Sequence, residues 1–184
     1  MTDDAIVIET ERLILRRLCA GDAAFILELV NDPDWLRYIG DKGVHNLDDA
    51  RGYIENGPVT MYAKHGFGLW RVELKDGGTP IGMCGLLKRD TLDDVDLGFA
   101  YLPRYRGHGY GREAAAATVA HGAQRVGLRR IVAITSPDNG ASGRLLEAVG
   151  LTFERLLDLS RGDPVRLYAW NAAAEPQGAL QRTD

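Results

Sequence analysis

Three glycines at alternate positions, Gly107, Gly109 and Gly111, are the feature of this sequence best suited to chemistry. Glycine adopts backbone conformations closed to other residues, so main-chain N–H groups here can approach a ligand closely. The run follows an apolar, strand-like segment and leads into an alanine-rich, helix-like segment. The first N–H groups of a helix lack partners within it, and the helix dipole favours negative charge there. The spacing therefore predicts a cradle for an anion such as a phosphate.

Glycine loops serve several chemistries, and two of them fit poorly. A Walker-type loop needs a lysine and a Ser or Thr after its last glycine, but Arg112 and Glu113 follow Gly111. A dinucleotide loop has the spacing G-x-G-x-x-G after the first strand, whereas this loop comes late and has the spacing G-x-G-x-G. A third interpretation is a tight turn whose glycines only reverse the chain. The surrounding sequence has to decide.

Composition narrows the class of protein. The 184 residues with 45% hydrophobic content predict one globular domain. A net charge of -4 and a pI near 5.6 argue against a nucleic-acid-coating protein. Two separated cysteines, Cys19 and Cys84, and four scattered histidines indicate neither a disulfide framework nor a metal site. The acidic start and the lack of a long apolar run predict a cytoplasmic protein that does not enter a membrane.

Hydrophobic periodicity predicts an antiparallel meander followed by an α/β crossover. The predicted strands are 12–17, 68–74, 79–88, 94–102, 130–135, 153–159 and 165–170, and the predicted helices are 23–30, 47–55, 110–125 and 140–149. Asp22 is a candidate cap for the first helix. Asn31-Asp32-Pro33 and Asn56-Gly57-Pro58 should end the first two helices, and Lys75-Asp76-Gly77-Gly78 should form a hairpin turn. We expect one domain over residues 8–170 and an irregular tail at 171–184.

Four motifs in register resemble the GNAT superfamily of N-acetyltransferases. They are Arg106-Gly107-His108-Gly109-Tyr110-Gly111, which matches the acetyl-CoA loop R-x-x-G-x-G, then Thr10-Glu11-Arg12-Leu13-Ile14-Leu15-Arg16, Asp96-Leu97-Gly98-Phe99, and Asn139-Gly140-Ala141-Ser142 before Leu146-Glu147-Ala148-Val149-Gly150-Leu151. They look most like the branch of ribosomal-protein alanine and serine N-terminal acetyltransferases. The resemblance implies an α/β (α+β) GNAT fold, with a mixed, mostly antiparallel sheet of about seven strands, a splayed parallel pair and about four flanking helices.

The resemblance also implies acetyl-CoA as cosubstrate, without a metal. The backbone of the loop would hold the pyrophosphate through Arg106, Gly107, His108, Gly109, Tyr110, Gly111 and Arg112. The pantetheine arm would pair with the backbone of Ala100, Tyr101 and Leu102, much as an added strand does. Asn139 matches the family asparagine that binds this arm, but it is also a good helix cap. Arg104 either adds charge near the loop or is an ordinary surface arginine.

Acyl transfer to an amine needs a base, a donor for the carbonyl oxygen and a proton for the departing thiolate. A backbone N–H near Tyr101 or Leu102 would serve the carbonyl. Asp96 stands where related sequences often have a glutamate, and it is the candidate catalytic base. Asp93 and Asp94 are alternatives, and a further interpretation is that all three are solvated turn acids.

The proton for the thiolate has a weaker candidate. Leu146 stands where many family members have a tyrosine acid. Ser142 matches the serine of N-x-x-S and is the catalytic candidate for hydrogen-bonding or protonating the sulfur, unless it is only a first-turn helix serine. Cys84 lies in an apolar segment and is interpreted as a buried structural thiol, which favours direct transfer in a ternary complex over an acyl-cysteine.

The leading hypothesis is thus an acetyl-CoA-dependent N-acetyltransferase acting on a primary amine. The acceptor is a protein N-terminus, a small polyamine or amino acid, or an aminoglycoside-like compound. Two other hypotheses are a non-catalytic acyl-CoA sensor and a nucleotide-binding α/β domain. Aromatic residues that either line an acceptor pocket or belong to the core are Trp35, Tyr38, Tyr53, Tyr62, Trp70 and Tyr168. The closing strands could also pair between copies in a homodimer.

Overall fold

Eight strands form one mixed sheet in the order β1-β2-β3-β4-β5-β6-β8-β7. The computed structural model of the chain describes residues 5–159 and 164–173. The strands are β1 (Ile6–Glu9), β2 (Leu13–Arg17), β3 (Leu69–Leu74), β4 (Pro80–Leu87), β5 (Asp96–Tyr101), β6 (Arg130–Thr135), β7 (Thr152–Asp158) and β8 (Pro164–Asn171). The α-helices are α1 (Ala23–Val30), α2 (Pro33–Tyr38), α3 (Leu47–Ile54), α4 (Thr60–His65), α5 (Tyr110–His121) and α6 (Gly140–Ala148). The predicted fold class is confirmed.

β5 and β6 form the parallel pair of the sheet, and they are paired over only a short length. Its register contains one residue pair, Asp96 with Val132, whereas β4 and β5 are paired at six positions. The N–H of Val132 donates to the carbonyl of Val95 at 3.0 Å. Beyond this point the two strands part toward their carboxyl ends. Backbone groups that a closed sheet would satisfy therefore face a gap.

Helices cover both faces of the sheet. Residues of α5 and α6, including Ala115 and Leu146, pack in one core cluster with Trp70 and Cys84 of the central strands. The helices α1, α2 and α3 form a second cluster against Met83 and other residues of the opposite face. The alternation of side chains along each strand supplies both clusters, because successive residues point to opposite faces.

The two segments that were predicted to end helices differ in the structure from that prediction. The segment Asn31-Asp32-Pro33 does end α1, but it also begins α2, which the sequence analysis missed. Asp32 accepts hydrogen bonds from the backbone of Asp34 and Trp35, and Pro33 takes the first helical position, where its missing N–H costs nothing. The prediction that Asn56-Gly57-Pro58 ends the second helix is wrong. A π-helical turn at Glu55–Val59 accommodates Pro58, and the chain continues into α4.

The other predicted helices and strands agree closely with the structure. The helix at 23–30 and the strand at 130–135 have the predicted bounds, and the other long elements differ by a few residues at their ends. The predicted hairpin turn joins β3 to β4, with positive φ at Gly77 and Gly78. The short edge strand β1 lies outside all predicted elements. Of the predicted tail, residues 174–184 lie outside the described residues, so its irregularity stays a prediction.

Three buried charged side chains and the partly buried Arg71 form a cluster between β2, β3 and the turn before α1. Asp22 bonds to Arg16 at 2.8 Å and to Arg71 at 2.6 Å, and Glu73 also contacts both arginines. Asp22 occupies the predicted cap position of α1, but its carboxylate makes no capping bond to α1 and instead accepts from the backbone N–H of Cys19 at 3.0 Å. Buried charges are stable only when paired in this way.

We predict that Asp22→Ala lowers the free energy of unfolding by about 3–5 kcal/mol, because the buried carboxylate shared by Arg16 and Arg71 is removed. Urea denaturation measures this change. Asp48→Ala is the control, since the Asp48 side chain is 91% exposed in its pair with Arg51. That variant should lose less than about 1 kcal/mol. Equal losses in both variants would contradict the importance of the buried cluster.

Candidate functional site

A cavity of about 920 Å³ extends from the glycine loop along the β5–β6 gap to the first residue of β5. Its walls come from β4, β5 and β6, from α1, α2 and α3, and from the start of α5 and α6. The predicted site residues that line it are Asp96, Ala100, Tyr101, Arg106, Gly107, Gly109, Tyr110, Gly111, Arg112, Asn139 and Ser142. Leu102 and His108 were also predicted, but neither lines this cavity.

The three loop glycines are needed for two different reasons. Gly107 and Gly109 have φ of +78° and +81°, in the left-handed region that disfavours other residues. Gly111 has an ordinary backbone, but a Cβ there would lie 2.9 Å from Cδ1 of Leu145 and 3.2 Å from the Tyr101 ring. The first two glycines shape the loop, and the third lets α5 start close against α6 and β5.

A polar network holds this loop to the beginning of the sheet. Glu113, in the first turn of α5, accepts from the Thr10 hydroxyl at 2.6 Å and from Nε of Arg12 at 2.7 Å. Arg12 also donates to the His108 carbonyl at 3.1 Å and covers the Tyr110 ring. Burial alone would raise the pKa of Glu113, but these hydrogen bonds outweigh burial and lower it. The carboxylate is therefore charged and tied down.

Ion pairs join the loop to α2. Arg106 donates from Nε to the Tyr101 carbonyl at 2.8 Å and from Nη2 to Asp32 at 2.7 Å. Its Nη1 pairs with Asp34. Arg106 thus closes the turn after β5 and fixes the α2 wall of the cavity.

The other loop arginines differ in their partners. Arg104 pairs with Glu28 at 2.5 Å and does not line the cavity. Arg112 does line it, and no residue in the described ranges bonds to its guanidinium. Arg112 is therefore the loop arginine whose charge is most available to an anion.

The β5–β6 gap presents unpaired polar groups. The Leu102 N–H points to β4, where it donates to Ile81 at 3.0 Å. Because N–H groups alternate along a strand, those of Tyr101 and Phe99 point into the gap. On the opposite strand, the Thr135 hydroxyl is buried and has no partner among residues 5–159 and 164–173. Of the two predicted carbonyl donors, Tyr101 is the one whose N–H faces the gap.

Asn139 and Ser142 meet at the start of α6. Oδ1 of Asn139 accepts from the Ser142 N–H at 3.1 Å, so the capping interpretation of Asn139 is confirmed. Capping uses only the oxygen of the amide. The Asn139 nitrogen and the Ser142 hydroxyl have no hydrogen-bond partner within the part of the chain that the structure describes, and both residues line the cavity.

Asp96 is 1% exposed, which excludes its interpretation as a solvated turn acid. Nε of Arg89 bonds to its two oxygens at 3.1 and 3.0 Å. Burial raises the pKa of Asp96 above its ordinary value, and Arg89 opposes the increase. The alternatives Asp93 and Asp94 line a separate cavity of about 90 Å³, where Asp94 pairs with Arg130. Asp96 is therefore the acid of the three that faces the large cavity.

Cys84 is fully buried, as predicted, and does not line the cavity. Burial raises the pKa of its thiol to about 12, so the nucleophilic thiolate is scarce. Leu146 is also buried. The described ranges hold no cluster of His, Cys, Asp or Glu suited to a metal ion. Within the same ranges, no helix has the length and apolarity needed to cross a bilayer.

Sequence reasoning missed several residues of this cavity. Lys42 and Arg89 line it, although both lie in irregular segments with no motif. Of the aromatic residues considered from the sequence, Trp35, Tyr38 and Tyr53 line the cavity, whereas Tyr62, Trp70 and Tyr168 belong to the core. The indole Nε1 of Trp35 is buried without a partner among the described residues. The one available signal was Asp32-Pro33, a typical helix start that could have revealed α2 and its Trp35.

The chain is similar to known acetyltransferases in sequence. Residues 12–152 match the family model of the acetyltransferase (GNAT) domain. The chain is 29% identical over 152 residues to YoaA of Bacillus subtilis, described as an uncharacterized N-acetyltransferase, with 82% of this chain and 85% of YoaA covered.

Solved structures give the same result. An acetyltransferase of the GNAT family from Bacillus anthracis superposes with a TM-score of 0.75 at 26% identity, covering 89% of this chain and 97% of that one. The ribosomal-protein-S5-alanine acetyltransferase from Vibrio fischeri has a TM-score of 0.75 at 18% identity, covering 94% and 100%, which is a likeness of fold.

We predict that Gly109→Ala raises the dissociation constant for acetyl-CoA at least about tenfold, because a side chain at positive φ forces the loop amides to turn. Titration calorimetry measures the affinity. Gly127→Ala is the matched control, since Gly127 has φ of +80° and lies away from the cavity. Both variants should lose about 1–2 kcal/mol of stability. Unchanged affinity in Gly109→Ala would remove the loop from the binding site.

Proposed function

This chain belongs to the GNAT family of acetyltransferases, and we propose that it moves an acetyl group from acetyl-CoA to a primary amine. The acceptor in this proposal is a protein N-terminus or a small molecule, and the transfer is direct, in a ternary complex without a metal. One observation carries the proposal. A single cavity connects the glycine loop, the open β5–β6 gap and the buried carboxylate of Asp96.

Polar groups without a partner in the cavity indicate which residues would hold the coenzyme. The loop amides from Arg106 to Arg112 and the start of α5 suit a pyrophosphate, with added charge from Arg112. The Tyr101 N–H and the amide nitrogen of Asn139 suit the amide groups of a pantetheine arm lying in the gap. The bound coenzyme supplies the acetyl thioester.

Asp96 is the proposed base. It would accept the proton of the substrate ammonium directly or through a water, which leaves the neutral amine needed for attack. Its raised pKa favours this role, because a base works best when its pKa approaches the working pH. Arg89 keeps the carboxylate oriented through two hydrogen bonds.

The other steps fall to groups at the gap. N–H groups of Phe99 and Tyr101 that face the gap can stabilise negative charge on the carbonyl oxygen of the thioester. The Ser142 hydroxyl is the proposed hydrogen-bond donor to the departing sulfur, since Leu146 offers no proton.

Two further proposals concern the whole protein. We place it in the cytoplasm, in line with its acidic composition and its two free cysteines. A homodimer through β7 is supported by the exposed apolar side chains Phe153 and Leu156 on this edge strand.

We predict that Asp96→Asn lowers kcat at least about 100-fold while acetyl-CoA still binds. The base must be deprotonated to act, so activity of the unchanged protein falls as the pH drops through the raised pKa of Asp96. The variant should lose this acidic limb of the pH–rate profile. Coenzyme A release with a panel of amines provides the rate, and Asp93→Asn, in the other cavity, is the control.

Full activity of Asp96→Asn would remove this residue as the base. A broader failure is also informative. If acetyl-CoA binds tightly and no amine in the panel, N-terminal peptides included, releases coenzyme A, the protein is a sensor of acyl-CoA and the proposed transfer is wrong.

A further inference from the structure

We propose that the acceptor amine carries a negatively charged group, and that Lys42 and Arg89 bind this group at the end of the cavity away from the glycine loop. The inference rests on the proposed acetyltransferase function and names the class of acceptor. It excludes two of the acceptors considered from the sequence, polyamines and aminoglycoside-like compounds, because they are strongly cationic.

The carboxylates lining the cavity have cationic partners. Asp32 and Asp34 pair with Arg106, Asp96 pairs with Arg89, and Asp138 pairs with Arg37. Asp96 and Asp138 each have an arginine of their own, whereas Asp32 and Asp34 share Arg106, so these pairs leave one negative charge, on the α2 wall next to the glycine loop. A multiply charged cation that enters the cavity loses its hydration shell, and these paired carboxylates would compensate little of that loss.

The positive charges of the cavity are compensated less completely. Lys42 lines the cavity, and no acceptor among residues 5–159 and 164–173 bonds to its ammonium group. Arg89 uses only Nε in its bonds to Asp96, so its two terminal nitrogens have no partner in the same ranges. Donors without acceptors at the wall of a cavity are the groups that a ligand anion satisfies.

The two cations line the same cavity and interact electrostatically. Burial and the neighbouring charge of Arg89 both lower the pKa of Lys42. Tyr53 does not offset these charges, because burial raises the pKa of its phenol to about 12 and keeps it neutral. An anion between Lys42 and Arg89 would therefore be attracted by both.

This positive region is distinct from the one at the glycine loop. Asp96 and Tyr101 are the two ends of β5, so they lie about 17 Å apart at the usual rise of a strand. Arg112 and Arg144 line the loop end of the cavity, where the phosphates would bind. Arg89 contacts Asp96, where the amine has to lose its proton, and Lys42 lies on the wall of the same cavity.

The positions of these groups define the acceptor. The amine would face Asp96, and the anion would face the free nitrogens of Arg89, which contacts the same Asp96 carboxylate. Amine and anion are thus within the reach of one small molecule, as in an amino acid or at a peptide N-terminus followed by an acidic residue. Leu87, which pairs with Asp96, and Leu69, which adjoins Leu87 at Gly98, line the cavity and suit an apolar body.

The first test compares matched acceptors by coenzyme A release. Each amino acid is paired with its amide and with its aminophosphonate analogue, and each peptide with Glu at its second position is paired with the Gln form. The anionic member should have a kcat/KM at least about tenfold higher. The carboxylate, phosphonate and peptide arms identify the source of the anion. Equal or better use of the amides, or of the diamine putrescine, would overturn the proposal.

Variants of Lys42 give the second test. Lys42→Gln should reduce the preference for the anionic acceptor at least about tenfold, mainly through KM, and Lys42→Arg should restore it. Lys42→Glu should shift the preference toward the amide and putrescine. Lys64→Gln removes an exposed charge on α4 that does not line the cavity, and it should leave the preference unchanged. An unchanged preference in all Lys42 variants would contradict the assignment.

A binding measurement separates this proposal from the proposed function. The protein saturated with coenzyme A is titrated with an N-acetylated amino acid and with its amide. Stronger binding of the acid that is lost in Lys42→Gln supports the anion site even if no amine is acetylated. Amine acetylation with equal binding of acid and amide would keep the acetyltransferase function and overturn the anion site.

Discussion

The early parting of β5 and β6 is the constraint on which the rest of the structure depends. A sheet normally satisfies the backbone groups of its inner strands by pairing. Here the parallel pair keeps one residue pair, Asp96 with Val132, and then opens. The opening gives the cavity its length and leaves the Tyr101 N–H free for a ligand. It also places Asp96 at the closed end, where the sheet is still intact and burial is greatest.

An opened sheet needs supports, and ion pairs provide them. Arg106 links the turn after β5 to α2 through Asp32 and Asp34, and Arg37 links α2 to Asp138 on the opposite side of the cavity. The partly buried Arg106–Asp32 contact resists solvent screening better than the exposed Arg37–Asp138 contact. We infer that α2 is anchored firmly on the loop side and more loosely on the α6 side.

The sequence predicted those parts of the site that depend on local backbone requirements. Positive φ at Gly107, Gly109 and Gly77 requires glycine, so a few neighbouring residues are enough to predict the loop and the hairpin. The family resemblance is also confirmed. The contact of Thr10 with Glu113 joins residues 103 positions apart. Two residues so far apart in the sequence cannot be recognised as partners from sequence spacing alone. Arg89 shows the same limit, because only the fold reveals that it faces Asp96.

The pairing of Arg89 with Asp96 has a consequence for catalysis that joins the two proposals. A charged arginine stabilises a carboxylate and weakens it as a base, so Arg89 opposes the effect of burial on the pKa of Asp96. An acceptor anion on the free nitrogens of Arg89 would partly neutralise that arginine. The pKa of Asp96 would then rise further, and its power to remove a proton would increase. The correct acceptor would thus strengthen the base that activates it, whereas an amine without an anion would meet a weaker one.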